Sequence, residues 1–149
     1  MKVVIQRVSR ASVKIEDQVI SNIKNGLLVL VGLKTGDTED QFDYIIQKIL
    51  NLRIFPDSKP VSEKEFNVSV RDCNYEVLLV SQFTLYASCK KGNRPSFSDA
   101  MKPQDAEVLY SAFVKKFKET YSKVFDGKFG AMMQVELVNN GPVTIVFEK

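Results

Sequence analysis

Apolar and polar residues alternate at the start of the chain, over residues 2–8 and again over 11–15. A period of two turns one face to a core and the other to water, so both stretches are predicted as half-buried strands. "EDQ" at 16–18 reads as a tight turn into a third alternating stretch at 19–23, and Asn25-Gly26 reads as another turn. "LLVLVGL" at 27–33 is a continuous apolar run, the pattern of a central strand. The period then changes. Thr38 with Gln41 three residues on has the form of a capping box. Phe42, Ile45, Ile46, Ile49 and Leu50 follow on one helical face, and Pro56 closes the region. Residues 57–74 are irregular and polar, apart from a short edge strand around 68–70. "EVLLVSQFTLYA" at 76–87 reads as a second buried strand. Pro103 opens a second helix. Its apolar face is Ala106, Leu109, Phe113, Phe117 and Tyr121, with Lys115, Lys116, Lys118 and Lys123 off that face. "DGKFG" at 126–130 is a turn, and 133–138 and 143–147 alternate as two last strands around "NNGPVT".

These elements make an α+β fold in a single domain over residues 1–149. The expected architecture is a largely antiparallel sheet, curled toward a barrel, with two covering helices. No phosphate-binding glycine loop or dinucleotide-binding pattern is present.

Composition narrows the chemistry. Apolar residues at 44% and charged residues at 26% are those of a soluble globular protein. No apolar run approaches the roughly 20 residues that span a bilayer, and the start of the chain reads as a strand rather than a signal peptide. A cytoplasmic location without membrane contact is therefore expected. Cys73 and Cys89 are expected as free thiols. No metal-ligand spacing occurs, and no metal or cofactor is expected. The chain has no histidine. That removes Ser-His-Asp and Cys-His catalysis and leaves a carboxylate, a lysine, water or the substrate itself as general base. A net charge of +3 says little alone about nucleic acid.

Two stretches break the local rules. Ser81, Gln82 and Thr84 place three polar side chains directly after the buried residues 77–80. Either the strand emerges into water at the sheet edge, or its end floors a pocket. In the second case Gln82 and Thr84 share one side, Ser81, Phe83 and Leu85 share the other, and backbone N–H groups freed where pairing stops meet an oxyanion. "NNGPVT" at 139–144 reads as a polar turn between two strands, with a proline that can give a sheet no N–H. The loop of Lys90, Lys91 and Arg94 faces either water or phosphate.

Together these stretches resemble the D-aminoacyl-tRNA deacylase family, the D-Tyr-tRNA deacylases. The resemblance runs the whole chain through "VIQRVSRASV", "GLLVLVGL", "KILNLRIF", "SQFTLYA", "GNRPSF", "GKFGAMMQV" and "NNGPVT", in family order. Ser81, Gln82 and Leu85 match the family's Ser-Gln-x-x-Leu, and Asn139, Gly141, Pro142 and Thr144 match its Asn-x-Gly-Pro-x-Thr. Related deacylases with a different first motif and a trans Gly-Pro exist, and the intact "SQFTL" argues against that branch.

The resemblance implies a homodimer with active sites at the subunit interface. It implies hydrolysis of the ester joining a D-amino acid to the 3′-terminal adenosine of tRNA. It makes Ser81, Gln82, Phe83 and Thr84 the catalytic segment. It implies that Gly141-Pro142 is cis, reaches into the partner's site and holds the substrate's α-amino group with its carbonyls. Arg7 matches the supporting arginine, and Phe129, Gly130, Ala131 and Met133 match the segment that lines the adenosine and aminoacyl pocket. An L side chain would then collide with the Gly-Pro wall while a D side chain points outward, and glycine, with nothing to collide, would also be released. Two readings compete: a non-enzymatic tRNA-binding module, and an editing domain of this fold that removes L-serine from tRNA, as in some threonyl-tRNA synthetases. The "NNGPVT" motif argues against the second.

Overall fold

In the computed structural model, which describes residues 1–57 and 66–149, the two alternating stretches at the start are one strand, β1 (Lys2–Ile15). It turns through Glu16 and Asp17, both at positive φ, into β2 (Gln18–Ile23), and β3 (Gly26–Gly32) follows the Asn25-Gly26 turn. β1 carries β3 beside its first half and β2 beside its second, both antiparallel. β6 (Glu76–Ser81) then pairs with β3, and β7 (Val124–Asp126) with β6, both parallel. The sheet is therefore mixed rather than largely antiparallel. The chain crosses over through helical segments between β3 and β6 and again between β6 and β7, and such crossovers return it in the same direction. β7 itself, three residues inside the expected helix-to-turn region, has no alternation to betray it. The sheet nearly closes as a barrel: the Ser21 hydroxyl on β2 donates to the Asp126 carbonyl on β7 at 2.6 Å.

Both faces of the central strands are covered. Leu27, Val29, Val31, Val77 and Leu79 pack under the helices. Leu28, Leu78 and Val80 join Val8, Ala11, Val13 and Ile23 on the other side. This two-sided burial is why β3 and β6 read as unbroken apolar runs.

The first helix, α1 (Phe42–Asn51), buries the five residues its period selects. Its entry differs from a capping box. Thr38 precedes a 3-10 turn at Glu39–Gln41 and makes no side-chain cap bond. Gln41 N donates instead to Thr38 O at 3.4 Å, and Gln41 Oε1 is buried without a partner. The second helix, α2 (Pro103–Thr120), buries Ala106, Tyr110, Phe113, Val114 and Phe117. Ala106, Phe113 and Phe117 are as expected; Tyr110 and Val114 widen the buried stripe, while Leu109 and Tyr121, the latter just past the helix end, are half-buried against the core. Between the helices, β4 (Arg53–Phe55) pairs with β5 (Val68–Ser69), the short edge strand. Residues 58–65 of the irregular stretch expected at 57–74 lie outside the described residues. Among the described residues no helix is long and apolar enough to cross a membrane.

Two further expectations change. The "NNGPVT" segment does not reverse the chain: β8 (Gln134–Glu148) runs straight through it, and both of its arms pair antiparallel with β1. The strand expected over 76–87 stops at Ser81, and Phe83–Tyr86 forms a 3-10 turn.

Candidate active site

The end of β6 is where the buried sheet gives way to an opening. Gln82 N makes the last sheet bond, to Val31 O at 2.8 Å, and Leu85 N closes back on Gln82 O at 3.2 Å. The tight turn fits because Gly32 lies beneath it. A Cβ there would sit 3.0 Å from Leu85 Cβ and 3.1 Å from Gln82 O. The 3-10 turn also cancels the two-sided arrangement expected of a strand. Gln82 Nε2 donates to the Thr84 hydroxyl, and Phe83 is exposed against Phe97, ring centroids 5.0 Å apart. The first N–H groups of the turn, at Phe83 and Thr84, have no partner within it.

A cleft of about 900 Å³ opens here. Of the expected residues, Ser81, Gln82 and Phe83 form one wall and Phe129, Gly130, Ala131 and Met133 another. Gly130 holds φ +71, a left-handed turn suited to glycine, between β7 and β8. Thr84 is tied to this wall through Gln82 rather than lining it. Several lining residues were not foreseen: Phe97 and Lys102 between the Ser88–Ser96 bridge and α2, and Tyr110 on α2. "GNRPSF" hinted at the first, and Tyr110 fits the helical period as well as Leu109 does. The Tyr110 hydroxyl is buried with no partner, and burial pushes its pKa well above the usual phenol range.

Gly141, Pro142, Arg7, Asn139 and Thr144 form a second cluster that does not line this cleft. In the β1–β8 ladder Val8 pairs with Asn139 and Gln6 with Thr144, so Arg7 alone lies opposite residues 140–143. Asn140, Gly141 and Pro142 bulge outward and are exposed, while Val143 is buried in the core. Asn139 staples the bulge: its Oδ1 accepts from Val143 N at 2.9 Å, and its Nδ2 donates to Thr144 Oγ1 at 3.0 Å. Arg7 Nε donates to Asn140 O at 2.9 Å and Nη1 to Ile54 O at 2.6 Å. The guanidinium is buried, and desolvation lowers its pKa. Gly141 has φ +129, and a Cβ on it would lie 2.8 Å from Val143 Cγ2 and 2.9 Å from Arg7 Nη2. The Gly141-Pro142 bond is cis. Both residues are exposed, and the ladder skips them, so their carbonyls are not spent in the sheet.

A family profile described as D-Tyr-tRNA(Tyr) deacylase matches residues 4–148. The chain is 49% identical over 148 residues to a D-aminoacyl-tRNA deacylase of Dehalococcoides mccartyi, covering 99% of this chain and 94% of that one. Among solved structures it superposes on the c-Myc DNA Unwinding Element Binding Protein with a TM-score of 0.92 at 46% identity, covering 100% of this chain and 99% of the other. It also superposes on a probable eukaryotic D-amino acid tRNA deacylase with a TM-score of 0.83 at 17% identity, covering 98% and 97%, a likeness of fold alone.

Proposed function

The chain belongs to the D-Tyr-tRNA(Tyr) deacylase family, and on that premise we propose that it hydrolyses the ester of D-aminoacyl-tRNA, releasing the D-amino acid, as a homodimer whose two sites each draw on both subunits. One observation carries the cross-subunit part. The catalytic segment and the 129–133 segment share one cleft, while Gly141-Pro142 stands exposed on a bulge outside it. A bulge built with an asparagine staple and a buried arginine, yet presenting its glycine and proline to solvent, is suited to enter a second copy's cleft.

In this reading the terminal adenosine lies along Phe129–Met133 and the ester carbonyl meets the N–H groups of Phe83 and Thr84. The partner's Gly-Pro carbonyls accept from the substrate ammonium. With the ammonium and the ester carbon both held, only the side chain and hydrogen on Cα remain to be told apart. The backbone wall excludes an L side chain by clash.

The chemistry runs without an enzyme base. The Thr84 hydroxyl accepts from the Gln82 amide, a donor that cannot take a proton from it. The adenosine 2′-hydroxyl serves instead. Water adds to the carbonyl carbon, the bond from that carbon to O3′ breaks, and the water's proton passes by way of the 2′-hydroxyl to O3′. The two N–H groups stabilise the oxyanion, each worth about 3–4 kcal/mol by comparison with known donors.

The test is release of tyrosine from D-Tyr-tRNA and L-Tyr-tRNA by the purified protein, with its mass in solution measured alongside. Rapid release from the D ester, little from the L ester and a dimeric mass are expected. Equal release from both esters would refute the chiral wall, and an active monomer would refute the shared site.

A further inference from the structure

The basic loop beside the cleft has no part in the chemistry above. Ser88 and Ser96 exchange both backbone hydrogen bonds, at 2.8 and 2.9 Å, which pins the base of a hairpin. Lys90, Lys91 and Arg94 sit beyond that base and are exposed. The sequence places no acidic residue between Glu76 and Asp99. Among the described residues none of these three cations forms an ion pair, whereas Lys2, Lys14, Lys34, Lys116 and Lys118 each hold a carboxylate. The hairpin leads directly to the cleft: Phe97 follows Ser96, lines the cleft and contacts Phe83. Lys102 lines the cleft too, and it also lacks an ion pair among the described residues.

The opposite flank differs. A groove there shares Tyr110 and Phe129 with the cleft, but its Lys115 and Lys118 are offset by Glu119 and Asp126, and Lys118 is paired with Asp126. A polyanion leaving the cleft is therefore drawn to one side and not the other.

Resting on the deacylase reading, we propose that the hairpin of Lys90, Lys91 and Arg94, with Lys102 at its foot, carries the phosphates of the acceptor strand once the 3′ end occupies the cleft. The contact is to backbone phosphate and so is independent of base sequence. It supplies affinity and leaves the hydrolytic step alone. A chain of only +3 net charge can hold a tRNA in this way because four cations stand together beside the cleft, three of them in a stretch from 77 to 98 that carries no carboxylate.

The experiment compares wild type with Lys90→Ala/Lys91→Ala/Arg94→Ala on D-Tyr-tRNA and on 3′-O-D-tyrosyl adenosine, which has the ester but no phosphates. The triple variant is expected to lose about 10-fold or more in kcat/KM on the tRNA. Its dependence of log(kcat/KM) on log[salt] should be flatter by about 2, matching two or three lost phosphate contacts. The nucleoside ester should be cleaved as by wild type, and Lys115→Ala should stay within about 2-fold on both substrates. An equal loss on both substrates, an unchanged salt slope, or an equal loss from Lys115→Ala would overturn the proposal. Binding of an uncharged acceptor-stem minihelix separates it from the reading beneath it. Hairpin-dependent binding by a wild-type protein that hydrolyses neither ester would uphold the rail and sink the deacylase. Hydrolysis of both esters with hairpin-independent binding would do the reverse.

Discussion

Thr84 sits where a nucleophile would be sought, yet its hydroxyl is occupied by the Gln82 amide and has no base beside it. Thr84→Ala should therefore retain deacylation within about 10-fold of wild type, whereas a 2′-deoxy terminal adenosine should lose about 100-fold or more, the usual scale of proton-transfer catalysis. An inactive Thr84→Ala with normal cleavage of the deoxy substrate would restore the threonine as nucleophile. Gly141 is the opposite case, a residue with no functional group whose smallness matters. A methyl there would press on Val143 Cγ2 and Arg7 Nη2 at under 3 Å and shift the bulge. Gly141→Ala should lower kcat/KM on D-Tyr-tRNA by about 10–100-fold through misplacement, since shifts near 1 Å carry costs of that size. The melting temperature should fall by a few degrees as well, because Val143 belongs to the core and Arg7 is buried. A fully active Gly141→Ala would show that the approach needs no such closeness.

Single elements were legible where one periodicity ruled. The five apolar residues of α1 follow from spacing alone, and the turn before β3 from the Asn25-Gly26 pair. The last strand was not: its two arms alternate correctly, but whether the chain turns or bulges between them depends on which strand each arm pairs with. β1 is long enough to pair with both. Likewise the end of β6 is a matter of where β3 stops, at Gly32, and not of the apolar run itself. Sheet packing makes one prediction at this scale. Gly26 lies between Val8 and Glu76 in the ladders, and a Cβ there would fall 2.0 Å from Glu76 O. Gly26→Ala should destabilise the protein by about 1–3 kcal/mol, read as a lower denaturation midpoint. A midpoint equal to wild type would mean that the β3–β6 junction relaxes freely.

Across the molecule, Glu148 near the end of β8 ties down both Lys34 and Lys2, with Oε1 to Lys34 Nζ at 2.8 Å and Oε2 to Lys2 Nζ at 3.4 Å. The Lys34 hydrogen bond is the main reason its pKa falls from 4.5 to about 2. A depressed carboxylate stabilises the fold above its unfolded pKa and stops doing so as pH falls through its folded one. The contribution should be whole above about pH 5 and decline between pH 4.5 and about 2. It should be modest, because the group is partly exposed. Glu148→Gln should lower stability modestly at neutral pH, converge with wild type near pH 2 and so flatten the loss between pH 4.5 and about 2; equal stabilities at neutral pH with an unaltered acid limb would refute this role for Glu148. For the proposed dimer, a wall that rejected by side-chain clash could not see glycine. Glycyl-tRNA should be cleaved at a rate comparable to D-Tyr-tRNA, and failure to release glycine alongside normal D-Tyr release would sink the wall.

The sequence by itself determined the class of fold, the helical faces, the absence of histidine and hence of a histidine base, and the two motifs proposed to carry the chemistry. Each of these depends on residue type or on spacing within one segment. Tertiary structure alone decided the mixed sheet, the single strand running through "NNGPVT", the 3-10 turn at Phe83 and the separation of the two motifs into a cleft and an outward bulge. Each of those depends on which distant strand a segment pairs with and where that partner ends. A local pattern carries no record of its partner.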